Sequence, residues 1–273
     1  MNVKKSLFNA AFILSPVLFA TGCGVQSSSS STKVSNGKDL PESEYPAVVM
    51  LYDKVKKGVC TGTFIDAETV ITAAHCTMGG KVVNKSTGEV EGSIAIIEMG
   101  DKAKKETKVI AESVAVYRNP VWDDEFKKTQ VNKYDLAILK FPKGTAKATR
   151  GLSPNGAVRG DNITIIGYGL NFVPERNKKP ETESIGTKRL GMNTVALIRD
   201  GFINFSGQVK TTTGDGTNAN AAPGDSGGPM FNEEGELVGI TSGGGRLFGR
   251  GISLYIDLRS DVSQDFLSIH GIN

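Results

Sequence analysis

Histidine, cysteine and tryptophan are scarce in this chain of 273 residues, which holds two, three and one of them respectively. There is no Cys-x-x-Cys pair, no His-Glu-x-x-His and no histidine cluster. The recurring ligand spacings of zinc sites are therefore missing, and neither a metal nor a cofactor is expected. An excess of one charge is missing as well. The formal +3 comes from Lys4, Lys5 and Lys33, which lie in an opening stretch of 33 residues without a single acid; the rest of the chain carries 29 basic and 29 acidic groups. With no block of Lys and Arg there is no footprint for a phosphate backbone, so nucleic acid is excluded as a partner. The longest mostly apolar run, 7–20, is too short for a permanent membrane helix. Any chemistry must run on very few residues.

Glycine, by contrast, is plentiful: 33 of 273 residues, the mark of a turn-rich chain. Residues 1–22 read as a signal peptide, with Lys4 and Lys5 ahead of the apolar run. Ala20, Thr21, Gly22 and Cys23 resemble the lipobox of bacterial lipoproteins, which makes Cys23 a lipid-attachment site and the membrane a partner. Ala20-x-Gly22 also suits ordinary signal peptidase, in which case Cys23 is simply the mature N-terminus. Residues 24–32 (GVQSSSSST) form a Ser-rich tether. The body is therefore expected outside the cytoplasm, as an outer-membrane lipoprotein or, after cleavage, a periplasmic or extracellular protein.

From residue 34 onward, short apolar runs alternate with Gly, Asn, Asp and Pro. The runs 47–52, 70–73, 93–99, 109–116 and 136–141, then 163–167, 194–198, 208–211, 237–241 and 252–256, predict strands. Many short strands without helical periods imply an all-β, antiparallel fold. Only the tail differs: Val262, Phe266 and Ile269 follow Ser260 and Asp261 at helical spacing, which predicts a C-terminal helix over about 260–271. Two β modules of about 110 residues suit this length, with 143–160 as the crossing.

Three motifs carry the chemistry. His75 lies in TAAHC (72–76) at the end of an apolar strand, where it is either a general base or a buried core histidine. His270, in the tail, reads as a helix-end residue. Asp135 opens the apolar DLAIL (135–139), where it either caps a turn or pairs with an imidazole N–H. Asp123 and Asp124 sit in a polar stretch that would not bury them. In GDSGGP (224–229), flanking glycines allow close approach of a substrate and aim amides at one point, where Ser226 stands. Gly224-x-Ser226-x-Gly228 also fits the nucleophile elbow of α/β-hydrolases, but that elbow needs a strand directly before and a helix directly after. The polar stretch 211–222 and Pro229 supply neither.

The order His75, Asp135, Ser226, separated by 60 and 91 residues within these motifs, resembles the chymotrypsin-like (trypsin-fold) serine endopeptidases, particularly the bacterial exported members. The resemblance covers nearly all of 34–273. It implies two antiparallel six-stranded β-barrels, about 34–145 and 150–258, with the site between them, and protein or peptide substrates. His75 would take the Ser226 proton, Asp135 would orient the ring, and the Gly224 and Ser226 amides would form the oxyanion hole. Ser242 would help seat Asp135. Cys60 and Cys76, 16 apart, would form a disulfide beside His75; the family's other disulfides are missing, and Ala222 stands where a cysteine is expected.

Asn220, six residues before Ser226, would lie at the floor of a specificity pocket completed by Ser242, Gly244 and Ser253. No anion would then await a cationic side chain, so a neutral residue is expected before the scissile bond, with Asp215 the nearest carboxylate able to upset this. The family is made as zymogens. Cutting Lys33-Val34 by a second, activating protease would free an amine to pair with Asp225, which would otherwise be a bare buried carboxylate. The same cut would detach the enzyme from Cys23. A catalytically silent binding module on the same fold is the alternative.

Overall fold

The computed structural model describes residues 34–100, 106–175 and 184–273. The expected signal peptide, Cys23, the tether and Lys33 lie outside the described residues. Hydrogen bonding sorts the described strands into two sheets, of nine and eight strands, in which every strand pairing is antiparallel.

The first sheet runs, in spatial order, Val82–Asn84, Glu89–Val90, Ala115–Arg118, Ala137–Lys140, Thr69–Thr72, Gly58–Phe64, Val48–Asp53, Ala95–Met99, Thr107–Glu112. The second runs Lys38–Asp39, Arg189–Thr194, Asn162–Gly167, Pro229–Phe231, Leu237–Leu247, Arg250–Asp257, Phe202–Gly207, Leu197–Arg199.

These counts exceed the expected six per barrel for physical reasons. Strands of two or three residues extend the edges of both sheets. The run 109–116 also makes two strands instead of one. Ser113 exchanges main-chain and side-chain hydrogen bonds with Ile94, after which Val114, 71% exposed, donates its N–H to the Lys140 carbonyl. The chain has changed neighbours within two residues. Residues 194–198 likewise straddle two strands. The expected strand at 208–211 is replaced by Phe202–Gly207, where Ile203 and Phe205 point inward at period two. Lys38–Asp39, allotted to the first barrel by position, pairs instead with Arg189 and Leu190 of the second sheet.

The tail helix spans Asp261–Ile269. Its buried face is Ser263, Phe266 and Leu267 instead of the expected Val262–Phe266–Ile269 stripe, and Ile269 is 54% exposed. Burying Ser263 is tolerable because its hydroxyl meets that of Ser260 at 3.0 Å. A five-residue helix, Trp122–Phe126, occupies the stretch read as a polar loop; there Asp123 pairs with the buried Arg118 at 3.0 Å. No described helix is long and apolar enough to cross a membrane.

One hydrophobic cluster joins Leu51, Phe64, Ile71 and Leu139 of the first sheet to Ile166, Phe231 and Ile240 of the second and Phe266 of the helix. A smaller cluster, including Ile165, Phe205 and Met230, lies in the second sheet, and Val34 packs into it. The two sheets thus share apolar burial along their seam, and the polar residues of interest gather at that seam.

Candidate active site

Strand register brings His75 and Asp135 together. Ala137 faces Thr72 in the antiparallel pair Ala137–Lys140 with Thr69–Thr72. The residues just before 137 and just after 72 therefore emerge at the same end of the sheet, although 60 positions separate the two side chains. Ala73 and Ala74 are fully buried, and the chain turns through a short 3₁₀ segment, Ala74–Thr77, fastened by the Cys60–Cys76 disulfide to the neighbouring strand.

The Asp135 carboxylate is 1% exposed and fully engaged. Oδ1 accepts the His75 backbone N–H at 2.9 Å, and Oδ2 meets His75 Nδ1 at 2.8 Å and accepts the Ser242 hydroxyl at 2.6 Å. Burial opposes a charge on the ring, yet the Asp135 charge and hydrogen bond outweigh it and hold the His75 pKa above the ordinary 6.5. Geometry of this kind fixes the ring and leaves Nε2 for a proton on the other side.

Ser226 lies on a loop gripped by main-chain bonds from both sheets. The Thr61 N–H donates to the Ser226 carbonyl at 2.8 Å and its hydroxyl to the Gly224 carbonyl at 3.0 Å; Leu170 N–H holds the Pro223 carbonyl at 2.8 Å. Cys76 Sγ is 3.6 Å from the Ser226 carbonyl, which places the serine beside the residue next to His75. Gly227, at φ +76°, lies so close to Thr72 Oγ1 that any Cβ would overlap it. Within the loop the N–H groups of Asp225, Gly227 and Gly228 are bonded to carbonyls. Among the described residues, those of Gly224 and Ser226 have no hydrogen-bond partner.

Asp225 is buried but not bare. Its Oδ1 accepts the Gly169 N–H and its Oδ2 the Ala222 N–H, both at 2.8 Å. Burial pushes its pKa up to about 6, against these bonds and the charge of Arg189. Val34 is buried, and Ser35 and Asn220 exchange both main-chain bonds at 3.1 Å. Asn36 Oδ1 accepts the N–H groups of Thr212, Thr213 and Gly214.

The cleft beside Ser226 is walled by Val173, Pro174, Ala221, Ala222, Pro223, Thr241 and the three glycines 243–245. Of the four residues expected in the pocket, Gly244 lines it. Ser242 is turned to Asp135 instead. Asn220 and Ser253 are fully buried and satisfy one another: the Ser253 hydroxyl donates to Asn220 Oδ1 and accepts the Ala221 N–H, both at 2.9 Å. Neither reaches the lining, so Ala221 and Ala222 present the nearer, apolar surface. Asp215 is exposed, bound to Thr213 and Thr217, and does not line the cleft.

His270 is elsewhere, its Nε2 3.0 Å from the Thr87 carbonyl and its ring against Tyr117. Although His75, Cys60 and Cys76 are clustered, both sulfurs are in the disulfide and offer no thiolate to a metal. Thr61, Val173 and Pro174 belong to no motif and were not legible beforehand. Gly169 lies outside the three motifs as well.

Two antiparallel sheets meeting at a His–Asp pair and a glycine-flanked serine define the class as a trypsin-like serine protease fold. Residues 34–264 match the trypsin family, and the chain belongs to that family. Among relatives, Trypsin theta of Drosophila melanogaster is 30% identical over 127 residues, which cover 44% of this chain and 47% of that protein. The chain spans about half the length of that curated relative.

Proposed function

We propose that this chain is a serine endopeptidase working through an acyl-enzyme, with His75, Asp135 and Ser226 as its triad. The observation that carries this reading is the pair of unpartnered N–H groups at Gly224 and Ser226, on the loop that adjoins the His75–Asp135 pair. Both residues are partly exposed at the cleft, so their free N–H groups are open to a substrate oxyanion. His75 takes the Ser226 proton during attack on the scissile carbonyl and returns it to the leaving amine, while Asp135 stabilises the imidazolium.

Among the described residues the lining is largely apolar and holds no carboxylate, which supports cleavage after a neutral residue. We further infer an exported precursor, lipid-anchored at Cys23, that a second protease cuts at Lys33-Val34, placing a new amine within the second sheet where Val34 is buried. Labelling of Ser226 by a fluorophosphonate, lost in Ser226→Ala, tests the peptidase reading; a folded protein that neither labels nor cleaves peptides refutes it in favour of a silent binding module. Matched peptides with Arg, Leu and Ala before the scissile bond test the pocket, and a roughly hundredfold preference for Arg, about 2.7 kcal/mol, overturns that part.

A further inference from the structure

Asp225 lies between the two residues whose amides are unpartnered, so whatever holds its carboxylate sets the loop. One of its two hydrogen bonds comes from Gly169. The Gly169 backbone packs directly on the loop: a Cβ there would lie 2.6 Å from the Asp225 nitrogen and 2.7 Å from the Pro223 carbonyl oxygen. Gly169 is in turn held from its other side, because its carbonyl accepts Arg189 Nη1 at 2.9 Å.

Arg189 is a guanidinium with 0% exposure. Nη1 also donates to the Thr187 carbonyl at 2.6 Å, Nη2 to the Ser184 carbonyl at 2.8 Å and Nε to Asp39 Oδ1 at 3.1 Å. Strand register accounts for its position, since Arg189 faces Gly167 across the pair with Asn162–Gly167 and so sits at the strand end from which Gly169 continues. Asp39 is about half exposed, so its pull on the guanidinium is screened by water, whereas Asp225 is buried. Burying a cation is costly unless it is paired with an anion and hydrogen-bonded.

We propose that Arg189 is a resident counter-charge, a positioning residue that acts through Gly169 to hold the Asp225 carboxylate, and with it the Gly224 and Ser226 amides, before the chain is cut at Lys33-Val34. The uncut chain is then already competent, and the Val34 amine adds to a charge the fold supplies. This rests on the peptidase reading above.

The test compares full-length chain blocked from cutting by Lys33→Gln with the cut form, each carrying Arg189, Arg189→Lys or Arg189→Gln. Blocked chain is expected to turn over a peptide within about tenfold of the cut form. Arg189→Gln should lower the blocked chain about a hundredfold and the cut form under about tenfold, and Arg189→Lys should restore most of the loss. A purely structural role would lower both forms equally, and that result, or a blocked chain a thousandfold below the cut form, overturns the proposal. Amide hydrogen exchange over 224–228 in blocked chain reads the holding without activity. It should be at least about tenfold faster in Arg189→Gln than in Arg189→Lys, judged on samples with matched thermal midpoints, and equal rates overturn the proposal. Blocked chain with a protected loop but a cut form inert to fluorophosphonate would sink the peptidase reading and leave the Arg189 assignment standing.

Discussion

The two sides of the cleft are built by different means. His75 and Asp135 are set by side chains: a carboxylate takes the ring, the backbone N–H of that same histidine and a serine hydroxyl. Ser226 is set by main chain: carbonyls of residues 223, 224 and 226 are gripped from Leu170 and Thr61, with Gly227 fitted against the first sheet. One side is governed by charge, the other by volume in addition to the buried Asp225 carboxylate. On the peptidase reading, His75 should therefore answer to pH and to isosteric changes of polarity, and the Ser226 loop to a single added carbon.

The largest effect is expected from Asp135→Asn, which keeps shape and removes charge. In a related triad that change lowers kcat roughly ten-thousandfold, and a similar loss is expected here with little change in thermal midpoint. On that reading kcat/KM of the parent protein should rise with pH through a midpoint above 6.5, because a base must be neutral to act and Asp135 holds the His75 proton. The same shift means that His75 contributes stability below its unfolded pKa of about 6.5, and that this contribution is lost as pH rises through the folded value. A midpoint unchanged by Asp135→Asn would show that charge does not govern the base side.

Gly227→Ala attacks the other side. It places a side chain at φ +76° and against Thr72 Oγ1, and a loss of roughly 2–4 kcal/mol in urea unfolding is expected, together with labelling of Ser226 falling at least tenfold. Unfolding curves that superimpose on those of the parent would break the volume argument. Ser242→Ala removes one donor to a charged acceptor, a bond worth roughly 1.5–3 kcal/mol, so kcat should fall about 10- to 100-fold while the fold survives. His270→Ala should be smallest: kcat/KM within about twofold, and at most roughly 1–2 kcal/mol of stability lost with its Thr87 and Tyr117 contacts.

The motifs around His75, Asp135 and Ser226 were legible because each concentrates unusual local chemistry: a lone histidine among alanines, an acid opening an apolar strand, a serine among glycines. What could not be read is what register decides. Nothing local shows that Ser113 hands the chain from one neighbour to the next, or that Lys38 and Asp39 join the far sheet. Thr61 has no local mark, being a threonine in a strand like any other, yet it holds the loop at two carbonyls. The burial of the expected pocket floor has a related origin. Asn220 and Ser253 are 33 residues apart, and only their tertiary pairing makes each a satisfied buried group. The helix stripe slipped because a serine pair at 260 and 263 lets a polar residue face inward.

The ends of the described region are exchanged between the two halves. The first described strand, Lys38–Asp39, completes the edge of the second sheet, while His270, at the end of the tail helix that follows that sheet, docks on Thr87 and Tyr117 of the first. Each half thus keeps a piece of the other in custody. A nick in the connecting segment 143–160 would leave two fragments with no covalent link, each clasped by the other's end as well as by the shared apolar seam. Such a molecule is mechanically a buckle, and its halves are not interchangeable modules that a chimaera could swap without also exchanging both straps.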